Sequence, residues 1–215
     1  MTQTAAASVL VGQDDIGQWQ EDLYRRVHQH PELGHQEVQT ADAVARQLRE
    51  FGFEVTDKIG STGVVGVLRN GDGPVVMRRA DMDALPVGEE TGLPYASSAT
   101  SLDGDGVAVA VMHACGHDVH VACLLGAARL IAASRPTWSG TYIALFQPAE
   151  ELADGAQRML DGGLREVVPV PDVVMAQHVL PFPAGTVGTR VGPVLSRGDS
   201  MRITVWGRGS HGSTR

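Results

Sequence analysis

Apolar residues recur every three or four positions in the first quarter of the chain, which is the spacing of a helix with one buried face. The first of these stripes consists of Ile16, Trp19, Leu23 and Val27. It predicts a helix over residues 16–28, and a second stripe predicts a helix over residues 38–51 that ends at Gly52. Each predicted helix has one apolar face and must pack that face against another element.

The rest of the pattern alternates between short apolar runs and longer helical stretches. Predicted strands, bounded by turn residues, cover residues 54–58, 63–68, 74–80, 141–146 and 173–177. Predicted helices cover residues 118–134 and 156–164. This alternation indicates an α/β fold with a largely parallel sheet, in which binding sites gather at the carboxyl ends of the strands.

The composition changes after Pro181, and this indicates a second domain. Gly, Val, Thr and Arg alternate there, and residues 201–206 (MRITVW) predict a strand. We place the boundary near Ser196, so residues 1–195 form the first domain and residues 196–215 begin another. One strand and a Gly-rich turn cannot fold alone, so the second domain is expected to be incomplete.

Charge and cysteine content exclude several classes of protein. A net charge of −8 argues against nucleic-acid binding, which depends on basic side chains. Cys115 and Cys123 are the only cysteines, too few for a disulfide scaffold, and Cys123 in an apolar helix is expected to be a small buried hydrophobe. The first apolar run has no basic residue before it, and no stretch approaches the roughly 20 apolar residues that cross a membrane. We therefore expect a cytoplasmic protein with no membrane partner.

Four clusters of potential metal ligands come just after predicted strands. They hold Asp81 and Asp83, then His113, Cys115, His117 and His120, then Glu150 and Glu151, and finally His178. Each position alone is weak evidence. Because the ends of parallel strands meet at one edge of a sheet, the segments together predict a metal site there.

The spacing within these segments indicates hydrolytic chemistry. Cys115 and His117 are two residues apart, so in extended backbone both can reach one cation. Thiolate, imidazole and carboxylate together suit Zn, with Mn, Co or Ni as alternatives. Glu150 and Glu151 point apart in extended backbone, so one can hold a metal while the other acts as a general base. A metal lowers the pKa of bound water, and the free glutamate takes its proton.

Other interpretations of these residues remain open. The two glutamates could simply begin a helix, where acids favour the positive end of the dipole. His178 could be a core histidine, and His113 and His120 could be supporting donors, or His120 could lie on a helix surface. The histidines at 28, 30 and 35 are expected on the surface without a role, and Asp103 and Asp105 in a turn.

A rival motif lies at the end of the chain. Residues 207–212 (GRGSHG) match the G-x-G-x-x-G pattern of dinucleotide-binding proteins. That pattern also needs a following helix and an acid about 20 residues on, and it ignores all four ligand segments.

The motifs RADMDALPV, MHACGHDVH, FQPAEE, the QH of QHVLP and GRGSHGS occur in an order that resembles the metal-dependent amidohydrolases. This family includes hippurate hydrolase, N-acyl-amino-acid deacylases and hydrolases of auxin–amino-acid conjugates. HPELGHQE (residues 30–37) matches as well. The resemblance implies a zinc-peptidase-like sheet with helices on both faces, and that residues 196–215 begin a small α+β lid domain through which the parent enzyme dimerises.

The resemblance also implies a role for each site residue. Cys115, His117, Glu151 and His178 fall on ligand positions of a two-metal site, and Glu150 falls on the general base. Asp83 falls on a supporting acid. His211 falls on a lid histidine thought to polarise the scissile carbonyl. The implied reaction is hydrolysis of the amide bond of N-acyl amino acids by a metal-activated water.

Members of the family are longer than this chain. Their sequence returns from the lid to complete the catalytic sheet and brings a final histidine ligand, and their lid motif continues with Pro-His where Ser213 and Thr214 stand here. We therefore expect a truncated chain that is inactive alone. The alternatives are a metal-binding remnant without activity, or the same scaffold acting on dipeptides or carbamoyl-amino acids.

Overall fold

A computed structural model describes residues 5–194, 201, 203–209 and 213 of the chain. The chain divides into two units, Met1–Val179 and Leu180–Arg215. Every helix and strand assigned among the described residues lies in the first unit. The described residues of 201–206 form no strand, and the domain boundary near Ser196 stays a prediction.

A five-stranded mixed sheet forms the centre of the first unit, in the order β1-β2-β6-β3-β7. Its strands are β1 (Glu54–Ile59), β2 (Gly63–Asn70), β3 (Val75–Asp81), β6 (Gly140–Gln147) and β7 (Val173–Ala176). β6, β3 and β7 are parallel, whereas β1 pairs with β2 and β2 with β6 in antiparallel orientation. The expectation of a largely parallel sheet is therefore wrong for half of the pairings. The turn between β1 and β2 is short, and short turns join antiparallel neighbours.

Helices cover both faces of this sheet, as predicted. They are α1 (Ala5–Val9), α2 (Gln13–Gln29), α3 (Val38–Glu50), α4 (His117–Ala133), α5 (Gly155–Asp161) and α6 (Leu164–Val167). Side chains alternate along β2: Val64 and Leu68 join one core cluster with α2, α3 and α4, whereas Val65 and Val67 join another with α5 and α6. The period-two alternation of a strand thus builds two apolar layers.

Two parts of the fold differ from the predicted elements. A small hairpin of β4 (Thr100–Leu102) and β5 (Ala108–Ala110) was not predicted, because strands of three residues carry no clear alternation. The Asp103 carboxylate accepts backbone N–H groups within its connecting turn, which confirms the turn assignment. The helix predicted over residues 156–164 ends at Asp161, since Gly163 takes a left-handed φ of 91° and separates α5 from α6.

The parallel strands bring the ligand segments to one edge. Asp81 at the end of β3 pairs in register with Gln147 at the end of β6, so the segments that follow them start side by side. α4 begins at His117, directly after Gly116 in a left-handed conformation (φ 78°) that favours glycine. No helix among the described residues is long and apolar enough to cross a membrane.

Candidate metal centre

His117 lies at the middle of the candidate site and is completely buried. Its Nδ1 lies 2.9 Å from the carbonyl oxygen of Asp83 and 3.2 Å from the Asp83 Oδ1. Both partners only accept hydrogen bonds, so Nδ1 carries the proton and Nε2 presents a lone pair. That Nε2 atom has no hydrogen-bond partner among the described residues. A buried, unpartnered nitrogen with its tautomer held from behind is the arrangement of a metal-binding histidine.

Two groups of potential ligands share His117. Cys115, His117 and His178 place their donor atoms within 4.8 Å of one another, and so do His117, Glu150 and Glu151. The Cys115 Sγ lies 3.3 Å from the His178 Nε2, and the His117 Nε2 lies 3.9 Å from oxygens of both glutamates. The five side chains assigned from the sequence to the metal site or to the general base therefore lie close together. Thiolate, imidazole and carboxylate ligands fit a divalent transition metal.

A third group, formed by Asp81, His117 and His120, also places its donor atoms within 4.8 Å of one another. Both ring nitrogens of His120 are already used, because Nδ1 lies 2.6 Å from Asp81 and Nε2 accepts the backbone N–H of Val179 at 2.9 Å. The Asp81 oxygens in turn face His120 and Arg79. This group is therefore less suited to hold an ion than the other two. His120 is also buried, so the helix-surface alternative is wrong.

Negative charge accumulates at the site. Burial together with Glu151 raises the pKa of the Cys115 thiol to about 12. Burial and the neighbouring Asp81 raise the pKa of the Glu150 carboxyl. Both shifts show that the protein alone disfavours further negative charge here. A bound cation would reverse this, since it favours thiolate and carboxylate over their protonated forms.

Asp83 joins the two ligand-bearing segments. Its carbonyl and Oδ1 hold the ring of His117, while its Oδ2 accepts the backbone N–H of Glu151 at 2.9 Å. Asp83 as a whole residue is 1% exposed. One carboxylate thus contacts both a histidine on α4 and the turn after β6, while the supporting role of Asp83 stays a prediction.

The turn that carries Glu150 and Glu151 is held by a hydrogen bond between the backbone of Ala149 and the side chain of Glu37. Ala149 adopts a left-handed φ of 46°, and its backbone N–H donates to the buried Glu37 carboxylate at 2.7 Å. α5 begins only at Gly155, so the two glutamates do not start a helix. His178 is exposed rather than in the core.

Several supporting residues were missed from the sequence. His28 was expected on the surface, but it is 5% exposed and its ring lies 2.6 Å from Asp118 and 3.0 Å from Glu89. His35 contacts Ser61 at 2.8 Å and Asp154 at 2.9 Å, which ties the loop before α3 to the segment after β6. Regular apolar spacing carries no signal for such polar contacts, because their partners are distant in sequence.

Two further histidines differ in how far the structure describes them. His113 is buried, neither ring nitrogen has a partner among the described residues, and burial lowers its pKa to about 4. It belongs to none of the three ligand groups. His211 lies outside the described residues, as does part of the G-x-G-x-x-G match.

Comparison with known proteins gives a consistent family. The pattern of Peptidase family M20/M25/M40 matches residues 77–211. Hippurate hydrolase of Campylobacter jejuni is 43% identical over 195 residues, covering 90% of this chain and 48% of that protein. Thermostable carboxypeptidase 1 of Saccharolobus solfataricus is 41% identical over 204 residues, covering 93% of this chain and 49% of that protein. The chain spans about half the length of these relatives.

A solved structure shows the same fold. The YXEP protein of Bacillus subtilis, described as a dinuclear metal binding peptidase from the M20 family, is 38% identical with a TM-score of 0.67. The similarity covers 78% of this chain and 44% of that protein.

Proposed function

We propose that this chain, which belongs to peptidase family M20/M25/M40, forms the metal-binding part of a hydrolase that cleaves the amide bond of N-acyl amino acids. The observation that carries the proposal is the buried Nε2 of His117, which has no hydrogen-bond partner among the described residues and lies close to the Cys115 thiol and to the carboxylates of Glu150 and Glu151. A relative named hippurate hydrolase supports the acyl-amino-acid class.

Cys115, His117, Glu151 and His178 are proposed to hold two divalent cations, together with a ligand from outside these residues. When bound, the cations lower the pKa of a water and polarise the amide carbonyl. Asp83 orients His117 and the Glu151 backbone from behind, which keeps the ligands in place. His211 is proposed to contact the scissile carbonyl.

Glu150 is proposed to be the general base. Its side chain is 40% exposed, so a water molecule reaches it, whereas the side chain of Glu151 is 25% exposed and the Glu151 backbone N–H donates to Asp83. Burial raises the pKa of Glu150, which makes its carboxylate a better proton acceptor. Glu150 would take a proton from water and later deliver it to the leaving amine.

Substitution of Glu150 tests this assignment. Glu150→Gln keeps the shape of the side chain but cannot take a proton, so turnover should fall by at least about 100-fold while metal content stays unchanged. Glu90→Gln is a matched control, because Glu90 is exposed on a loop. The assay uses this chain and, where the gene continues past residue 215, the longer protein, with N-acetyl, N-benzoyl, N-carbamoyl and dipeptide substrates. Substantial turnover by Glu150→Gln would remove Glu150 from the mechanism.

The substrate panel also separates the alternatives. Preference for dipeptides would favour a peptidase, in keeping with the relative named thermostable carboxypeptidase 1. Metal binding without turnover on any substrate would favour a remnant without activity. The choice among Zn, Mn, Co and Ni, the homodimer of the parent enzyme and a cytoplasmic location stay predictions.

A further inference from the structure

His120 is a second buried histidine on α4, one turn after His117, and the proposed reaction gives it no part. Its side chain is 1% exposed. Asp81 accepts a hydrogen bond from its Nδ1 at 2.6 Å, and the Arg79 guanidinium donates to the other Asp81 oxygen at 2.7 Å. His120 is therefore tied to the end of β3. Because Asp81 only accepts, the proton of the His120 ring lies on Nδ1 and its Nε2 presents a lone pair.

That lone pair accepts the backbone N–H of Val179 at 2.9 Å. Val179 follows His178, and its carbonyl oxygen lies 2.6 Å from the His178 Nδ1. A carbonyl only accepts, so the His178 Nδ1 carries the proton, and the unprotonated Nε2 faces the Cys115 Sγ at 3.3 Å. The peptide groups of Val179 thus contact both rings: the N–H donates to His120, and the carbonyl oxygen accepts from His178.

The ring of His178 meets the rings of His120 and His117 edge-on, at centroid distances of 4.8 and 6.1 Å. His178 lies just after β7, which is at the edge of the sheet among the described strands and whose four residues are all exposed. Among the described residues, the hydrogen bonds that reach residues 178 and 179 from elsewhere in the fold come from Cys115 and His120. The Val179 side chain also packs directly over Gly116, where an added Cβ would lie 2.3 Å from its Cγ2.

We propose that His120 is a positioning residue that sets the ring orientation and tautomer of His178 through the backbone of Val179. The proposal rests on the proposed function in one respect, namely that His178 binds metal. His120 thereby lies between Asp81, at the end of β3, and Val179, on the exposed loop that carries His178. Removing such support from a metal ligand typically weakens metal binding by about 10–100-fold.

Two substitutions separate the two hydrogen bonds of His120. In His120→Asn the amide nitrogen replaces Nδ1 and keeps the bond to Asp81, but nothing accepts the Val179 N–H. In His120→Gln the amide oxygen reaches the position of Nε2 and keeps that acceptor. If His120 positions His178, His120→Asn should disturb the tautomer of His178 and weaken metal binding, whereas His120→Gln should behave almost like the wild type. His30, which is exposed, provides the matched control substitutions His30→Asn and His30→Gln.

The first measurement uses the metal-free chain and records the tautomer of His178 from ¹⁵N chemical shifts of the labelled imidazole. We expect an unprotonated Nε2 in the wild type, in His120→Gln and in both His30 variants, and a mixture of tautomers in His120→Asn. An unchanged His178 tautomer in a folded His120→Asn would overturn the proposal, and so would a mixture in His120→Gln. If His120→Asn does not fold, a mixture of tautomers in a folded His120→Gln still overturns the proposal.

The second measurement titrates the same proteins with Co²⁺. His120→Asn should bind about 10–100-fold more weakly and His120→Gln within about threefold of the wild type. Equal loss in both variants would contradict positioning and indicate that His120 itself binds the ion. If wild-type protein binds no Co²⁺ while the tautomer shift is present, the proposed function fails and the positioning role of His120 stands.

Discussion

Glu37 offers a test of how the turn before Glu150 is held, because its carboxylate is wholly buried. One oxygen accepts the Ala149 backbone N–H at 2.7 Å, and the other accepts the Thr62 hydroxyl at 2.6 Å. Ala149 is itself buried and left-handed, so its N–H cannot turn to solvent when the acceptor is removed.

The expected cost of Glu37→Ala follows from these two contacts. A buried N–H without an acceptor costs about 1–3 kcal/mol, and a hydrogen bond to a charged group contributes about 1.5–3 kcal/mol. We therefore expect the free energy of unfolding to fall by about 3–5 kcal/mol. Glu37→Gln should lose only about 1 kcal/mol, because its amide oxygen can accept from Ala149 while its amide nitrogen donates to Thr62.

Urea unfolding of the 215-residue chain at pH 7 measures both variants. A loss below about 1 kcal/mol in Glu37→Ala, or equal losses in both variants, would refute the reasoning. Burial raises the pKa of Glu37 in the folded protein, although its hydrogen bonds oppose this. The folded state therefore favours the protonated form, and wild-type stability relative to Glu37→Gln should decrease as pH rises from about 4.3 through that raised pKa.

Two further substitutions test the packing around the site. Gly155→Ala should destabilise the chain by at least about 2 kcal/mol in thermal or urea unfolding, because its Cβ would lie 1.7 Å from the Pro148 carbonyl oxygen; a neutral effect would contradict the close approach. Burial lowers the pKa of His28, but its hydrogen bonds to Glu89 and Asp118 raise it overall. Because the pKa of His28 is higher in the folded than in the unfolded chain, protonated His28 stabilises the fold below about pH 6.5. This stabilisation is lost as pH rises through the pKa of His28 in the folded protein. His28→Gln should thus cost about 2 kcal/mol at pH 6 and less at pH 9, and a pH-independent loss would contradict a charged His28.

The elements that carry the proposed ligands could be predicted from the sequence, because their signals are local. The long apolar stretch of α4 and the buried runs of β3 and β6 give clear patterns, and ligand residues directly follow or begin them. The antiparallel pairing of β2 with β6 could not be predicted, since it joins segments that are far apart in sequence.

The supporting contacts show the same limit. Glu37 reaches Ala149 across 112 positions, and His28 reaches Asp118 across 90. The sequence around Glu37 and His28 does not indicate which residues they contact. Sequence patterns predict which side chains can bind a metal, whereas the residues that orient them become evident only once the chain is folded.

Cobalt binding tests the central claim of a metal centre that includes Cys115 most directly. The chain is titrated with Co²⁺ beside Cys115→Ser and, as a control, Cys123→Ser. We expect at least one bound ion with a thiolate-to-cobalt charge-transfer band in the wild type and in Cys123→Ser, and no such band in Cys115→Ser. Absence of binding in the wild type, or an unchanged band in Cys115→Ser, would contradict the claim.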